Sequence, residues 1–367
     1  MLFPARSRGL LLAPLEADAL AYDPGTETAH HLSRTSYAVL SAGDSTARVE
    51  EMVALWARQT NTDPRVVARQ VSAHLEQLMV RGLAGRTSTI LEPVPPSGST
   101  GPAPGPHRGA VHTVVDHRIR FRSQDPRLLD MIDRHLGTAG GSCRPTLHFD
   151  VTSTDQGAVV LTTNTEWCFP TRQAFLNQLP GVINEFAARS HSCVVLHAGA
   201  VRSPIGQVVV LAASSNAGKS TLTAALVQAG WDYLGDEAIG IRSGTLAAVG
   251  YPKRIALAAA SRAVLGLPLS SAPDAAVREL RADAVRLSGD VGPIAHVVLP
   301  EYRKGAAISL ARLDPPAAVK ALLANTLNLA RAGEEGLTAL CHLAASVPVH
   351  VLVHGGSADA AAVISRL

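Results

Sequence analysis

Aromatic residues make up only 4% of this 367-residue chain, and lysine is scarce beside arginine. The formal charge is only +3. That balance provides no general basic surplus of the kind that meets a nucleic-acid backbone. There are four cysteines, Cys143, Cys168, Cys193 and Cys341, and no two stand in C-x-x-C spacing. Neither a zinc site nor a redox dithiol is indicated, and reduced thiols fit a cytoplasmic protein. No run approaches the ~20 apolar residues that a membrane-crossing helix needs. The apolar stretch Gly9 to Leu15, preceded by Arg6 and Arg8, is short and is followed at once by Glu16 and Asp18. That makes a poor signal peptide. The expectation is a cytoplasmic protein with no nucleic-acid and no membrane partner. What the chain does have is 47% hydrophobic residues, enough for two or three domains with a sizeable core.

The clearest boundary is EPVPPSGSTGPAPGPHRG, Glu92 to Gly109, in which proline, glycine and serine displace any apolar period. Such a segment reads as an interdomain tether. It divides the chain into a first domain over 1–88, a linker over 89–110 and a larger domain over 111–367. In the first, Leu20 to Asp23 and Thr26 to Leu32 read as two strands around the turn at Pro24-Gly25. Ser33 or Thr35 then caps a helix with Tyr37, Val39 and Leu40. A second helix places Val49, Met52, Val53, Leu55 and Trp56 on one face. Asp63-Pro64 opens a third, from about Arg65 to Val80, with Val67, Val71, Leu75, Leu78 and Met79 inward. A hairpin with three helices is winged-helix-like. The third helix has only Arg65 and Arg69 near its start and there is no basic wing, which argues against DNA.

In the larger domain, Thr113–Arg122, Thr146–Thr152 and Ala158–Thr163 read as strands. Residues Arg172–Arg189 read as a helix buried through Phe175, Leu179, Ile183 and Phe186. Strands follow at Val194–His197, Val208–Ala213 and Ala295–Leu299. Two amphipathic helices lie within Ala317–Ala345, and a closing strand at Val349–Val353. This is an α/β pattern.

The chemistry centres on LAASSNAGKSTLTAAL, Leu211 to Leu226: an apolar strand, a small-residue loop with Gly-Lys-Ser-Thr, then an amphipathic helix. Loop amides and an open helix N-terminus point inward with partial positive charge and suit a nucleoside triphosphate. Ser214, Ser215, Asn216, Ala217, Gly218, Lys219, Ser220 and Thr221 would contact the nucleotide. Lys219 would reach the β and γ phosphates, and Ser220 would sit on magnesium. Ala213 stands where such loops usually have their first glycine, and Asn216 where glycine is common. Alanine is the smallest substitute, and asparagine tolerates positive φ.

Downstream, Gly235-Asp236-Glu237 places two adjacent carboxylates at a strand end, where neighbouring side chains diverge. One can hold a metal ion or its waters and the other can accept a hydroxyl proton. Upstream, His197 sits in Leu196-His197-Ala198-Gly199 just before the strand that feeds the loop. Two basic segments, Tyr251-Pro252-Lys253-Arg254 and Tyr302-Arg303-Lys304-Gly305, offer charge to a transferring phosphoryl group or are solvated loops.

The order His-Ala-Gly, strand, phosphate loop, helix, Asp-Glu resembles the catalytic domain of HPr kinase/phosphorylase. It resembles more closely that domain's smaller relatives encoded with peptide-modification systems. The likeness spans roughly Val111 to Leu367 and is strongest from His197 to Ile241. The resemblance implies an α/β P-loop kinase domain of HPr kinase C-terminal type. It also implies that His197 interacts with Asp236, that Asp236 is the general base and that Glu237 helps hold the metal. Relatives carry a segment similar to Tyr302–Gly305, which favours Arg303 at the nucleotide. The HPr-binding signature has no counterpart here, which argues against HPr as the substrate.

The first domain, through Tyr22-Asp23-Pro24 and His30 to Ser36, resembles the PqqD-like peptide chaperones, or RiPP recognition elements, small winged-helix-like α+β modules. In them a leader peptide adds as a strand beside the hairpin. The two resemblances together imply an ATP- and Mg2+-dependent kinase of a Ser or Thr hydroxyl on a ribosomally made precursor peptide. A kinase for a small hydroxyl metabolite such as free serine, and a nucleotide-gated peptide chaperone without phosphotransfer, are the alternatives. ATP and GTP are not distinguished, and neither are monomer and homo-oligomer.

Overall fold

The computed structural model describes residues 9–15, 18–24, 26, 28–42, 48–80, 83–84, 105–136, 144–154, 157–163, 166–213, 217–251, 253–268, 274–275 and 289–367. Ser214, Ser215, Asn216, Pro252, Gly25, Cys143 and most of the tether lie outside the described residues. The chain divides into two compact units, residues 1–94 with 333–345, and residues 95–332 with 346–367.

The first unit contains a three-stranded antiparallel sheet of β1 (Leu11–Leu15), β2 (Asp18–Asp23) and β3 (Thr28–Leu32), in that order. Two strands were expected; the third is the apolar run near the N-terminus. Leu12, Ala13 and Leu15 are buried while Pro14 is exposed. Proline is tolerated there because β1 is an edge strand. Three helices follow, α1 (Arg34–Ala42), α2 (Val49–Thr60) and α3 (Pro64–Val80). Ser33 caps α1 by accepting from the Ser36 amide at 3.2 Å. Asp63 accepts from the Arg65 amide at 2.8 Å, ahead of Pro64 in the first turn of α3. Leu12, Leu32, Leu40, Val53, Val67 and Leu78 share one core. Leu55 departs from the expected inner face of α2 and is 47% exposed. It lies 200° around the helix from Val53 at 100° per residue.

The second unit begins with β4 (His107–Val114), β5 (His117–Ser123), α4 (Pro126–Leu136), β6 (Leu147–Ser153), β7 (Val159–Thr162), β8 (Glu166–Phe169) and α5 (Arg172–Ala187). The five strands form one sheet in chain order. The start of β4 takes up the last residues assigned to the tether. The single strand expected over Thr113–Arg122 is a hairpin, because Val115 turns the chain at φ 54°. Asp116 anchors that turn by accepting from the Ser190 and Ser192 hydroxyls, each at 2.8 Å. In α5 the predicted stripe of Phe175, Leu179, Ile183 and Phe186 is buried.

Next come β9 (Cys193–Arg202), β10 (Val208–Ala212), α6 (Lys219–Gln228), β11 (Asp232–Gly235), β12 (Ala238–Arg242) and β13 (Ala247–Gly250). A short pair, β14 (Ile255–Ala256) and β15 (Asp274–Ala275), flanks α7 (Ala259–Val264). The unit closes with β16 (Gly289–Tyr302), β17 (Ser309–Arg312), α8 (Pro315–Leu323), β18 (Val349–His354) and α10 (Ser357–Ile364). Between α8 and β18 runs α9 (Leu329–Ser346), which breaks at Gly333.

Two long strands organise this part. The first half of β9 pairs with β12, and its second half with β10 and β11. The first half of β16 pairs with β13, and its second half with β10 and β18. β10 is thus enclosed, antiparallel to β9 and parallel to β16, and all five of its residues are buried. An uninterrupted Val-Val-Val-Leu-Ala run suits such a central strand. α6 was expected to be amphipathic; it is instead buried through Leu222, Thr223, Ala224, Ala225, Leu226 and Val227. Gly199 allows its close approach to β9, since a Cβ there would stand 2.5 Å from Thr223 Oγ1. The chain is therefore mixed α/β with several sheets.

Candidate functional site

The site begins where β10 ends. The chain passes from Ala213 to Gly218, which adopts φ 88° and opens α6. Glycine takes that left-handed conformation without the cost a Cβ would impose. Ala213 needs no such freedom: among the described residues only Asn61, Val115 and Leu246 have positive φ without being glycine. Lys219, the first residue of α6, is buried and donates from Nζ to the Ala213 carbonyl at 2.6 Å, across the loop. Burial pushes its ammonium below the ordinary lysine range, against the pull of Glu237 and Asp236. Those two carboxylates therefore act on the loop lysine. Thr221 turns its hydroxyl to Ser261, donating at 2.8 Å.

The acids occupy the corner between β11 and β12. Pairing of Ala238 with His197, and the Ala198 amide donating to the Glu237 carbonyl at 3.1 Å, set the corner against the middle of β9. Asp236 is 2% exposed. Its Oδ1 accepts from the Tyr233 hydroxyl at 2.9 Å and pairs with Lys253 Nζ at 2.8 Å. Its Oδ2 is buried and has no hydrogen-bond partner among the described residues. Glu237 is the more accessible acid, with its side chain 25% exposed. Its Oε1 lies 3.5 Å from Lys253 Nζ, and its Oε2 accepts from Asn184 Nδ2 at 3.5 Å. The Tyr251 hydroxyl donates to Asn184 Oδ1, which leaves the Asn184 amide nitrogen to face Glu237. Burial, with the two carboxylates nearby, raises the Tyr251 phenol well above its usual range, so it stays a donor.

His197 joins this group by its charge environment, but not as expected. Burial lowers its pKa, Lys219 lowers it further, and Glu237 and Asp236 offset part of the shift. Among the described residues the ring makes no hydrogen bond to Asp236; Tyr233 and Lys253 hold that carboxylate instead. Both holders were missed as such. Lys253 was one of two basic candidates, and it is the one beside the acids, 1% exposed. Burial alone would lower its pKa, yet Asp236 and Glu237 hold it above the ordinary lysine value. The preferred candidate, Arg303, is on the surface, with its side chain 66% exposed and paired with Glu301. The scarcity of lysine carries no signal by itself: of the four lysines, Lys219 and Lys253 are buried and Lys304 and Lys320 are exposed.

Cavities flank the site. One of about 490 Å³ is lined by Ala213, Ala217, Glu301, Arg303 and Asn325, so Arg303 and the loop border the same space. A second, of about 520 Å³, is lined by His135, Asn177, Asn184, Glu237, Lys253 and Arg254. Among the described residues no group of three or more His, Cys, Asp or Glu forms a metal cage. No described helix is long and apolar enough to cross a membrane.

The sequence matches no family model and no curated relative. Among solved structures it is similar to the HPr(Ser) kinase/phosphatase from Coxiella burnetii, at 12% identity and a TM-score of 0.28, covering 47% of this chain and 87% of that one. A likeness of that strength leaves the functional assignment to the residues of the site.

Proposed function

We propose that the second unit is an ATP-dependent phosphotransferase acting on a Ser or Thr hydroxyl of a ribosomally made precursor peptide, with the first unit recruiting the leader. The observation that carries this reading is the bare Oδ2 of Asp236. A buried acceptor left without a donor costs about 1–3 kcal/mol. The chain tolerates that cost at a carboxylate whose other oxygen is doubly held and whose charge reaches Lys219. An incoming alcohol supplies the missing donor.

In the reaction the acceptor oxygen attacks the γ phosphorus. Its O–H bond breaks with the proton passing to Asp236, and the bond from the γ phosphorus to the bridging oxygen breaks with its electron pair leaving on ADP. Lys219 and the amides of residues 214–221 bind the phosphates, with Arg303 at the edge of the same space. His197, held toward its neutral form by burial and by Lys219, adds no further cation. Magnesium fits the residues present. With Lys253 between them, Asp236 and Glu237 keep one net negative charge, and magnesium on a triphosphate needs only one or two protein ligands. Ser220 and Glu237 would hold it, and when bound it neutralises charge on the β and γ oxygens. In the first unit the outer edge of β3 pairs with no other strand among the described residues, which leaves it open for an added peptide strand.

Tracing the γ phosphate of ATP into a precursor encoded beside the gene tests the proposal. Asp236→Asn is expected to lower kcat by about 10²- to 10⁴-fold while leaving ATP affinity within a few fold. A fully active variant removes Asp236 as the base. Removal of residues 1–94 is expected to abolish turnover of the peptide; undiminished turnover of a small alcohol would favour the metabolite kinase.

A further inference from the structure

β10 carries the phosphate loop between two neighbours that end differently. Across β9 lies the β11–β12 corner with Asp236 and Glu237. On the other side β16 and β18 run parallel to β10 and end at Tyr302 and His354, which are register partners. A triphosphate whose γ end is turned toward Asp236 sends its α end toward this second side. A cavity of about 250 Å³ opens there, and Gly218 and Thr221 form part of its wall. Tyr302 stands directly beside the loop: a Cβ added to Gly218 would lie 3.7 Å from the Tyr302 Cβ. Tyr302 and Val264 of α7 both line the cavity, and both large apolar side chains are left in solvent.

His354 gives the wall its polar feature. It is 3% exposed, and its ring meets the Tyr302 ring edge-on with 5.7 Å between centroids. Its Nδ1 lies 3.1 Å from the Gly356 carbonyl oxygen. A carbonyl only accepts, so Nδ1 carries the proton and donates. Burial lowers the pKa of the ring, which keeps it neutral and leaves a lone pair on Nε2. That nitrogen is buried and has no hydrogen-bond partner among the described residues.

We infer that this cavity takes the base of the nucleotide, that Tyr302 stacks on it, and that His354 Nε2 accepts from its amino group, which selects adenine over guanine. The inference rests on the triphosphate-binding reading and names the nucleotide that the loop takes. A half-exposed aromatic beside the loop offers its face to a flat ring. At about 250 Å³ the space is smaller than the about 300–1,000 Å³ that encloses a whole drug-sized ligand, and it suits one ring system. The waiting acceptor separates the bases. Adenine presents an amino N–H where guanine presents a carbonyl oxygen. Two acceptors face to face leave both unpaired, and a site built for a donor rejects a ligand without one.

The test uses the full chain with magnesium and four probes: ATP, GTP, purine riboside triphosphate, which is ATP without the amino group, and inorganic tripolyphosphate. Titration calorimetry gives each dissociation constant. The wild type is expected to bind ATP at least tenfold more tightly than GTP or purine riboside triphosphate. His354→Phe keeps a ring but removes the acceptor, and should bring ATP and purine riboside triphosphate within twofold of each other. A histidine that only supports the fold would weaken both equally and leave their ratio unchanged. Tyr302→Ala, at a half-exposed position, should weaken ATP about tenfold while tripolyphosphate stays within twofold. Unchanged ATP affinity in Tyr302→Ala, or an equal loss for ATP and tripolyphosphate, overturns the base site and leaves the kinase reading standing. A wild type that does not distinguish ATP from purine riboside triphosphate overturns the role of His354. Absence of binding by both ATP and tripolyphosphate is the separate result that overturns the triphosphate reading itself.

Discussion

Two short segments of this chain are alike in composition and opposite in setting. Tyr251-Pro252-Lys253-Arg254 and Tyr302-Arg303-Lys304-Gly305 each put a tyrosine just ahead of two basic residues. Lys253 is enclosed and bridges two carboxylates of another segment, whereas Arg303 is in solvent, just past the end of β16, beside Glu301 of that strand. Composition could not separate them. What separates them is the partner brought from elsewhere: the β11–β12 corner delivers Asp236 and Glu237 to Lys253, and nothing comparable reaches Arg303. A basic side chain becomes part of a site when the fold removes its water and supplies its counter-charge together.

The sharpest way to break this comparison is to delete the enclosed charge. Lys253→Met leaves Asp236 buried without its cation, and breaking such a pair typically costs about 3–5 kcal/mol. Urea unfolding of the nucleotide-free protein should show an unfolding free energy lower by about that amount. The double change Lys253→Met with Asp236→Asn should recover part of it, since no charge is then stranded. The wild type carries a matching pH signature. The folded-state pKa of Lys253 is raised above 10.5, so its contribution is complete below the unfolded lysine value. It disappears as pH rises through the raised folded value, which puts the window on the alkaline side. A single change that costs under 1 kcal/mol would mean Lys253 is solvated in solution.

How much of this was legible in the residues themselves follows the same division. Strong local patterns survived folding: the α5 stripe from Phe175 to Phe186, the Asp63-Pro64 start of α3 and the apolar run of β10 all lie where their spacing put them. Lys219, His197, Asp236 and Glu237 were also placed together by order along the chain, because strand, loop and helix bring their ends to one edge. What failed depended on long-range packing. Val115 breaks a strand because Ser190 and Ser192, some 75 positions away, capture Asp116. Tyr233 and Asn184 carry no pattern of their own and matter only through the carboxylates they touch. The Leu11–Leu15 strand went unread because its apolar run was weighed only as a signal peptide; the edge position that tolerates Pro14 depends on pairing with β2.

A smaller effect tests the hydroxyl that shares Asp236 with the lysine. Tyr233 is fully buried, and its hydroxyl holds Oδ1 at 2.9 Å. Tyr233→Phe keeps the ring and removes one hydrogen bond to a charged group, worth about 1.5–3 kcal/mol. Because Lys253 still neutralises the acid, the loss should fall at the low end, below that of Lys253→Met. Thermal melts of the two variants side by side give the ranking. A larger loss for Tyr233→Phe would mean that the phenol, and not the ammonium, is the main support of the carboxylate.

The exposed member of the pair should respond least. Arg303 shares its surface with Glu301, and an exposed ion pair contributes about 0–1 kcal/mol because water already screens both partners. Arg303→Ala should therefore change stability no more than ordinary surface substitutions do, roughly 0.5 kcal/mol. Its consequence for ATP should be separable from stability, since the side chain borders the cavity shared with Ala213 and Ala217. A guanidinium at that rim is expected to add a few fold in affinity, and the increment should shrink between 50 mM and 500 mM salt as screening shortens its reach. Titrating wild type and variant with ATP at both salts measures this directly. A hundredfold loss that persists in high salt would place Arg303 in a closed nucleotide complex, desolvated as Lys253 already is, and the two segments would then differ only in when each charge is buried.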